Sequence, residues 1–95
     1  MEPSILTRIL AAAPGVQDAG DARFTVEDGH RLTFYLGQPG QAMVLGDLAS
    51  VSLHEGFVAL EKREGGGTVF VALDHVHAVA ARPPKGDGVQ RTGFV

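Results

Sequence analysis

The chain has 95 residues, no cysteine and a formal net charge of −3, with 44% hydrophobic and 20% charged residues. This length and apolar content predict one folded domain, and the absence of cysteine excludes disulfides and thiol chemistry and favours a cytoplasmic location. The acidic balance argues against nucleic acid as a partner, because such binding depends on clustered lysine and arginine.

The first predicted element is a short helix over residues 4–13, with Ser4 as a possible N-cap and Pro14 and Gly15 at its end. Its apolar side chains recur at helical spacing: Ile5, Leu6, Ile9, Leu10 and Ala13. A helix this short is unstable alone, so we expect this apolar stripe of the helix to pack against the rest of its own domain. The alternative is that the stripe binds a partner or a membrane surface. The sequence has no signal-peptide n-region and no run near the roughly 20 apolar residues of a membrane span, so no membrane partner is expected.

From Ala22 onward the apolar period becomes alternating, which predicts strands. A three-residue loop at 27–29, with Gly29 in the left-handed conformation, would join the first two strands into a bulged hairpin. This hairpin pairs Phe24 with Leu32 and keeps one face apolar. A two-residue loop would mix apolar and polar side chains on that face.

The next hairpin is predicted from a Pro-Gly pair at positions 39–40, which suits the centre of a type II turn. In that register Leu36 lies opposite Met43, and Phe34 lies opposite Leu45. Both pairs place apolar side chains on a common face, so turn and alternation agree.

A third hairpin is predicted around the Glu-Gly pair at positions 55–56. A two-residue turn there pairs Leu53 with Val58 and Val51 with Leu60. After a glycine-rich tip the chain can return alongside this hairpin, with Val69 opposite Leu60 and Val71 opposite Val58.

The C-terminal part is predicted to hold one more strand, which follows Asp74 and runs to about Arg82. Pro83 and Pro84 cannot continue a ladder, so residues 83–95 are predicted to form a flexible tail. The remaining chain, residues 1–82, is then one small β domain.

The predicted fold class is mostly β: a short N-terminal helix followed by a five- or six-stranded antiparallel meander. Such short strands tend to curl into a small barrel, since a flat sheet leaves two bare edges. Barrel closure depends on strand tilt, which the sequence does not specify, so a strongly bent open sheet is the alternative.

The stretch LDHVHAV contains the best candidates for a chemical site, His75 and His77. On one strand these imidazoles would share a face and could form part of a zinc site, which needs three or four ligands. No third ligand lies nearby in sequence, and His30 and His54 could join only if the barrel closed suitably. We therefore favour surface histidines and predict no metal or other cofactor.

Residues 46–80 resemble the two signature segments of Sm and Sm-like proteins. The matching positions are Gly46, Leu48, Val51, His54, Phe57 and Leu60 in the first segment, and Val69, Val71 and Val79 in the second. The resemblance implies a small SH3/Sm-like barrel after an N-terminal helix, assembled into rings through strand edges. Ser52 and Gly56 replace the family's aspartate and asparagine, and Ala72 and Leu73 replace its arginine-glycine, so the RNA-binding residues are absent.

No catalytic signature accompanies these features, since Ser50 and Ser52 lack a nucleophile-elbow context and no phosphate-binding glycine motif occurs. We predict a non-enzymatic scaffold or adaptor that binds another protein, or itself as a homo-oligomer, through strand edges. The candidate interaction residues are Tyr35, Phe57 and Phe70. The alternatives are an Sm-like nucleic-acid-binding barrel and a histidine-dependent protein that binds a metal or small ligand.

Overall fold

A computed structural model of the chain describes residues 1–38 and 41–84. The described part confirms the mostly β fold with a short N-terminal helix. Its elements are α1 (Pro3–Ala12), β1 (Val16–Gly20), β2 (Arg23–Val26), β3 (Arg31–Gln38), β4 (Gln41–Leu45), β5 (Leu48–His54), β6 (Phe57–Lys62), β7 (Thr68–Ala72), a 3₁₀ turn (Leu73–His75) and β8 (Val76–Arg82).

The strands form two antiparallel sheets, with orders β1-β2-β5-β6-β7 and β4-β3-β8. The eight strands in the described part of the chain exceed the five or six predicted, and the two sheets do not close into a barrel. The expected closure into a small SH3/Sm-like barrel is therefore not observed, and the open arrangement given as the alternative is the one that forms. One unexpected strand is β1, whose sequence VQDAG shows no apolar alternation because most of it is exposed to solvent.

The predicted hairpin between β2 and β3 is also wrong. Phe24 on β2 pairs with Val51 on β5, whereas Leu32 on β3 pairs with Ala81 on β8. The two strands thus belong to different sheets. Alternation predicted correctly that both side chains are buried, but it contains no information on which strand lies next to them.

The turn between β2 and β3 forms where it was predicted, with Gly29 at a φ of 84° and the His30 N–H donating to the Glu27 carbonyl over 3.1 Å. Arg63, directly after β6, donates from its guanidinium to the carbonyls of Glu27 and His30 at 3.1 Å each. The turn is thereby tied to the five-stranded sheet, and it passes the chain from one sheet to the other.

The other predicted registers are confirmed. The observed pairs are Leu36–Met43 and Phe34–Leu45 between β3 and β4, Leu53–Val58 and Val51–Leu60 between β5 and β6, and Val58–Val71 and Leu60–Val69 between β6 and β7. The predicted last strand is confirmed as β8. The turn centre at positions 39–40 and residues 85–95 of the predicted tail lie outside the described residues.

Helix α1 packs on its own chain, as expected, through Leu6 and Leu10, whose side chains are fully buried. The predicted Ser4 cap is wrong: the helix begins at Pro3, which suits the first helical position, and no side chain caps it. The stripe is also narrower than predicted, since Ile5 is 46% exposed. Among the described residues, no helix has the length and apolar character needed to cross a membrane.

Both sheets and the helix contribute to one hydrophobic core. Its members are Leu6, Leu10, Phe24, Val26, Leu32, Phe34, Leu36, Leu48, Val51, Val58, Leu60, Leu73 and Val76. The core faces of the two sheets pack together, but the sheets do not join into a barrel. A gap therefore remains between the sheets, and the end strand β7 borders it.

Candidate functional site

The hydrogen bonds at the two ends of β7 determine which of its backbone groups are paired with β6. At one end the Leu73 N–H donates to the Gly56 carbonyl over 3.0 Å, and at the other the Lys62 N–H donates to the Gly67 carbonyl over 2.9 Å. Hydrogen-bonded and non-hydrogen-bonded pairs alternate along an antiparallel ladder. Both bonds therefore predict the same alternation, or phase, of hydrogen-bonded and non-hydrogen-bonded residues along β7.

In this phase Val69 and Val71 direct their N–H and C=O groups towards β6, while Thr68, Phe70 and Ala72 direct theirs away from it. β7 is the last strand of its sheet, and no described residue forms a backbone hydrogen bond with the outward groups. The structure therefore presents a row of unpaired donors and acceptors along β7, which we call the β7 edge.

An apolar groove of about 560 Å³ lies beside the β7 edge, in the gap between the two sheets. Val69, Phe70 and Val71 form one wall, and Leu36 and Met43 of the β3–β4 hairpin form the other. Phe70 is 68% exposed and Met43 is 57% exposed. No aspartate, glutamate, lysine or arginine of the described residues lines the groove, so its chemistry suits uncharged side chains.

An aromatic row crosses the outer face of the same sheet and ends at the β7 edge. The rings of His54 and Phe57 stack with centroids 4.7 Å apart, and Phe57 meets Phe70 edge to face at 6.2 Å. The pairings of β5, β6 and β7 place all three side chains on one face. The row fixes Phe57 against its neighbours and leaves Phe70 more exposed than Phe57.

The structure brings two of the three candidate interaction residues together. Phe57 and Phe70 belong to the aromatic row, whereas Tyr35 lies on β3 in the other sheet, half-buried between Val44 and Ala78. Met43 also belongs to the site, although its sequence position did not indicate this. The sequence places Met43 opposite Leu36, but this pairing does not indicate that the two residues border an open gap between the sheets.

The two candidate histidines lie in different elements. His75 is in the 3₁₀ turn and lines the apolar groove, while His77 is on β8, where the ladder with β3 shifts register, and its ring contacts the Gly37 carbonyl. The expected shared strand face does not form. Within residues 1–38 and 41–84, no cluster of three or more potential ligands is placed to hold a metal ion.

The opposite edge of the five-stranded sheet differs chemically from the β7 edge. β1 carries Asp18, whose carboxylate accepts a hydrogen bond from the Gly20 N–H over 2.8 Å, and its pairing with β2 is irregular between these residues. Charges and bulges of this kind discourage pairing with another strand. The β7 edge has neither feature.

A comparison of the chain with protein-family models, curated proteins and solved structures finds no match.

Proposed function

We propose that the protein is a non-enzymatic scaffold or adaptor that binds an extended segment of another protein, or of a second copy of itself, by strand addition to the β7 edge. The observation that carries the proposal is the coincidence of three outward-facing backbone positions, Thr68, Phe70 and Ala72, with an uncharged apolar groove. In strand addition the backbone bonds supply affinity and neighbouring pockets select side chains. A cytoplasmic location is consistent with the cysteine-free composition.

A nucleic-acid-binding function has less support. Single-stranded nucleic acid needs aromatic platforms combined with basic side chains. On the outer face that carries the aromatic row, Arg23 of β2 is 3.6 Å from Glu61, and Ser50 also donates to that carboxylate over 2.7 Å. The charge of the arginine is thus offset within the sheet.

The proposal is tested with a backbone change that removes one donor of the β7 edge. Ala72 has a φ of −63° and a ψ of 137°, values that proline adopts without strain. Its N–H points away from β6, so Ala72→Pro leaves the β6–β7 ladder intact. Ala72→Ser, which keeps the N–H, is the matched control.

In the experiment, the wild-type chain and both variants are immobilised in parallel and exposed to cell lysate, and each is sized by light scattering. We expect the wild type and Ala72→Ser to self-associate or to retain a protein, and we expect Ala72→Pro to weaken that binding by about tenfold. Identical captured proteins and identical masses for all three chains would refute the proposed function.

A further inference from the structure

We infer that the occupant of the β7 edge is a second copy of this chain, paired antiparallel with β7 across a two-fold axis at Phe70. This inference rests on the proposed function and specifies its partner and register. The two five-stranded sheets would then form one continuous sheet through the dimer.

The sequence of β7, TVFVA, is nearly symmetric about its central residue. A two-fold interface brings the same surface of both copies together, so each residue must suit its symmetry-related neighbour. With the axis at Phe70, Val69 faces the partner's Val71 and Thr68 faces the partner's Ala72. The first contact joins identical side chains and the second joins two small ones, with the largest side chain, Phe70, at the centre.

The outward backbone groups favour the same register. Phe70 exchanges both of its hydrogen bonds with the partner's Phe70, and Thr68 exchanges its bonds with the partner's Ala72. A displacement by two residues would leave Thr68 or Ala72 without a counterpart in β7. The register centred on Phe70 is therefore the one that uses all three outward positions.

Charge and sequence symmetry together select β7 among the strand edges. No residue of β7 is charged, so a two-fold axis there brings no like charges together. β1 carries Asp18, and β8 carries Arg82 at its end. The β4 edge is also uncharged, but its sequence QAMVL is asymmetric and would place Gln41 opposite the partner's Leu45.

Dimerisation would also cover the exposed apolar surface. Val69 and Val71 line the groove from the inner face of the sheet, and the partner's β7 would extend that apolar face beneath Met43. Phe70, now 68% exposed, would lie against the partner's Phe70 on the outer face. Removal of these side chains from water supplies a driving force that the backbone bonds alone do not.

The oligomeric state of the full chain is the first test. Sedimentation equilibrium of the wild type should give a dimer of the 10.0 kDa chain that dissociates on dilution. Ala72→Pro removes one hydrogen bond from each copy and should raise the dissociation constant by at least about tenfold, whereas Ala72→Ser should dimerise like the wild type. A wild-type monomer at every concentration, or a dimer that Ala72→Pro does not weaken, overturns the inference.

Cysteine crosslinking tests the register. Because the chain has no native cysteine, any disulfide that forms must involve the introduced residues. Phe70→Cys should form a covalent dimer under mild oxidation, because hydrogen-bonded pairs have Cα atoms about 5.5 Å apart, within disulfide range. Thr68→Cys alone should not crosslink, but mixed with Ala72→Cys it should. Val44→Cys, 56% exposed on β4, is the control.

The outcomes separate this inference from the proposed function. Crosslinking of Val44→Cys as efficient as that of Phe70→Cys overturns the inference. The inference is also overturned if the wild-type chain is a monomer that retains another protein and the Ala72→Pro variant no longer retains it. That result would still support the proposed function. If Ala72→Pro changes neither self-association nor the capture of another protein, both the inference and the proposed function are refuted.

Discussion

The imidazole of His30 lies directly against the backbone of Gly15, where a Cβ atom on the glycine would come within 2.1 Å of the ring carbon Cδ2. Gly15 also has a φ of 80°, in the left-handed region that disfavours other residues. The glycine therefore serves two needs where α1 leads into β1. It provides the backbone conformation, and it leaves room for the His30 ring to pack beneath the chain.

Gly15→Ala should lower the free energy of unfolding by about 2 to 4 kcal/mol, through backbone strain and overpacking together. Gly20→Ala is the control: Gly20 has a φ of 90°, but a Cβ atom added there would meet nothing within 4 Å, so only the backbone strain applies. Urea denaturation measures both variants. Equal losses at the two positions would show that the contact with His30 has no energetic role.

Arg63 provides a second prediction, because one guanidinium ties the β2–β3 turn to the end of β6. Arg63→Met should cost about 1 to 3 kcal/mol, since it removes the hydrogen bonds to the carbonyls of Glu27 and His30. Arg8→Met, an exposed change of the same kind on α1, should cost less than about 0.5 kcal/mol. Urea denaturation of the two variants provides the comparison.

Salt distinguishes the two kinds of contact that Arg63 makes. Its nitrogens also lie 3.7 Å from Asp28 and 3.6 Å from Asp47, both exposed, and such ion pairs contribute little in high salt. Most of the loss in Arg63→Met should therefore persist in about 1 M NaCl. A loss that disappears there would assign the role of Arg63 to the aspartates instead of the carbonyls.

Helix α1 should depend on its packing, because it has ten residues and no side-chain cap. Leu10→Ala should cost about 2 to 5 kcal/mol, as expected for a fully buried leucine. Ile5→Ala, on the exposed part of the stripe, should cost less than about 1 kcal/mol. Thermal unfolding followed by circular dichroism tests this pair, and similar losses would contradict the assignment of the buried face.

The sequence predicted hairpin registers well where the turn and both strands are close along the chain. The Leu36–Met43 and Val51–Leu60 pairs follow from local turn residues combined with alternation. The partner of Phe24 was predicted wrongly because alternation defines the face of a strand and not its neighbour. The choice between β3 and β5 as that neighbour depends on tertiary packing.

The candidate site was predictable to a similar degree. Tyr35, Phe57 and Phe70 were predicted as interaction residues because apolar side chains lie on both strand faces near them, and of the three only Phe57 and Phe70 meet in the aromatic row. The groove beside them could not be predicted, because it exists only where the two sheets fail to close. Met43 belongs to the site through that gap, which no local pattern encodes.

The phase of the β7 ladder, on which both proposals depend, is tested with two adjacent proline substitutions. Ala72→Pro should leave the stability of the monomer unchanged or raise it by about 0.4 to 1 kcal/mol, because the native backbone is already compatible with proline. Val71→Pro should cost about 1 to 3 kcal/mol, because the Val71 N–H pairs with Val58 and its loss leaves the Val58 carbonyl without a partner. Urea denaturation in dilute protein measures both.

Amide hydrogen exchange gives the same information without substitution. In dilute protein Val69 and Val71 should exchange slowly, and Phe70 should exchange fast because its N–H faces away from β6. As the concentration rises and dimers form, the Phe70 amide should gain protection while the two valines change little. If Phe70 is slow and Val71 fast at low concentration, the ladder has the opposite phase, and Ala72 would then be the wrong place to block strand addition.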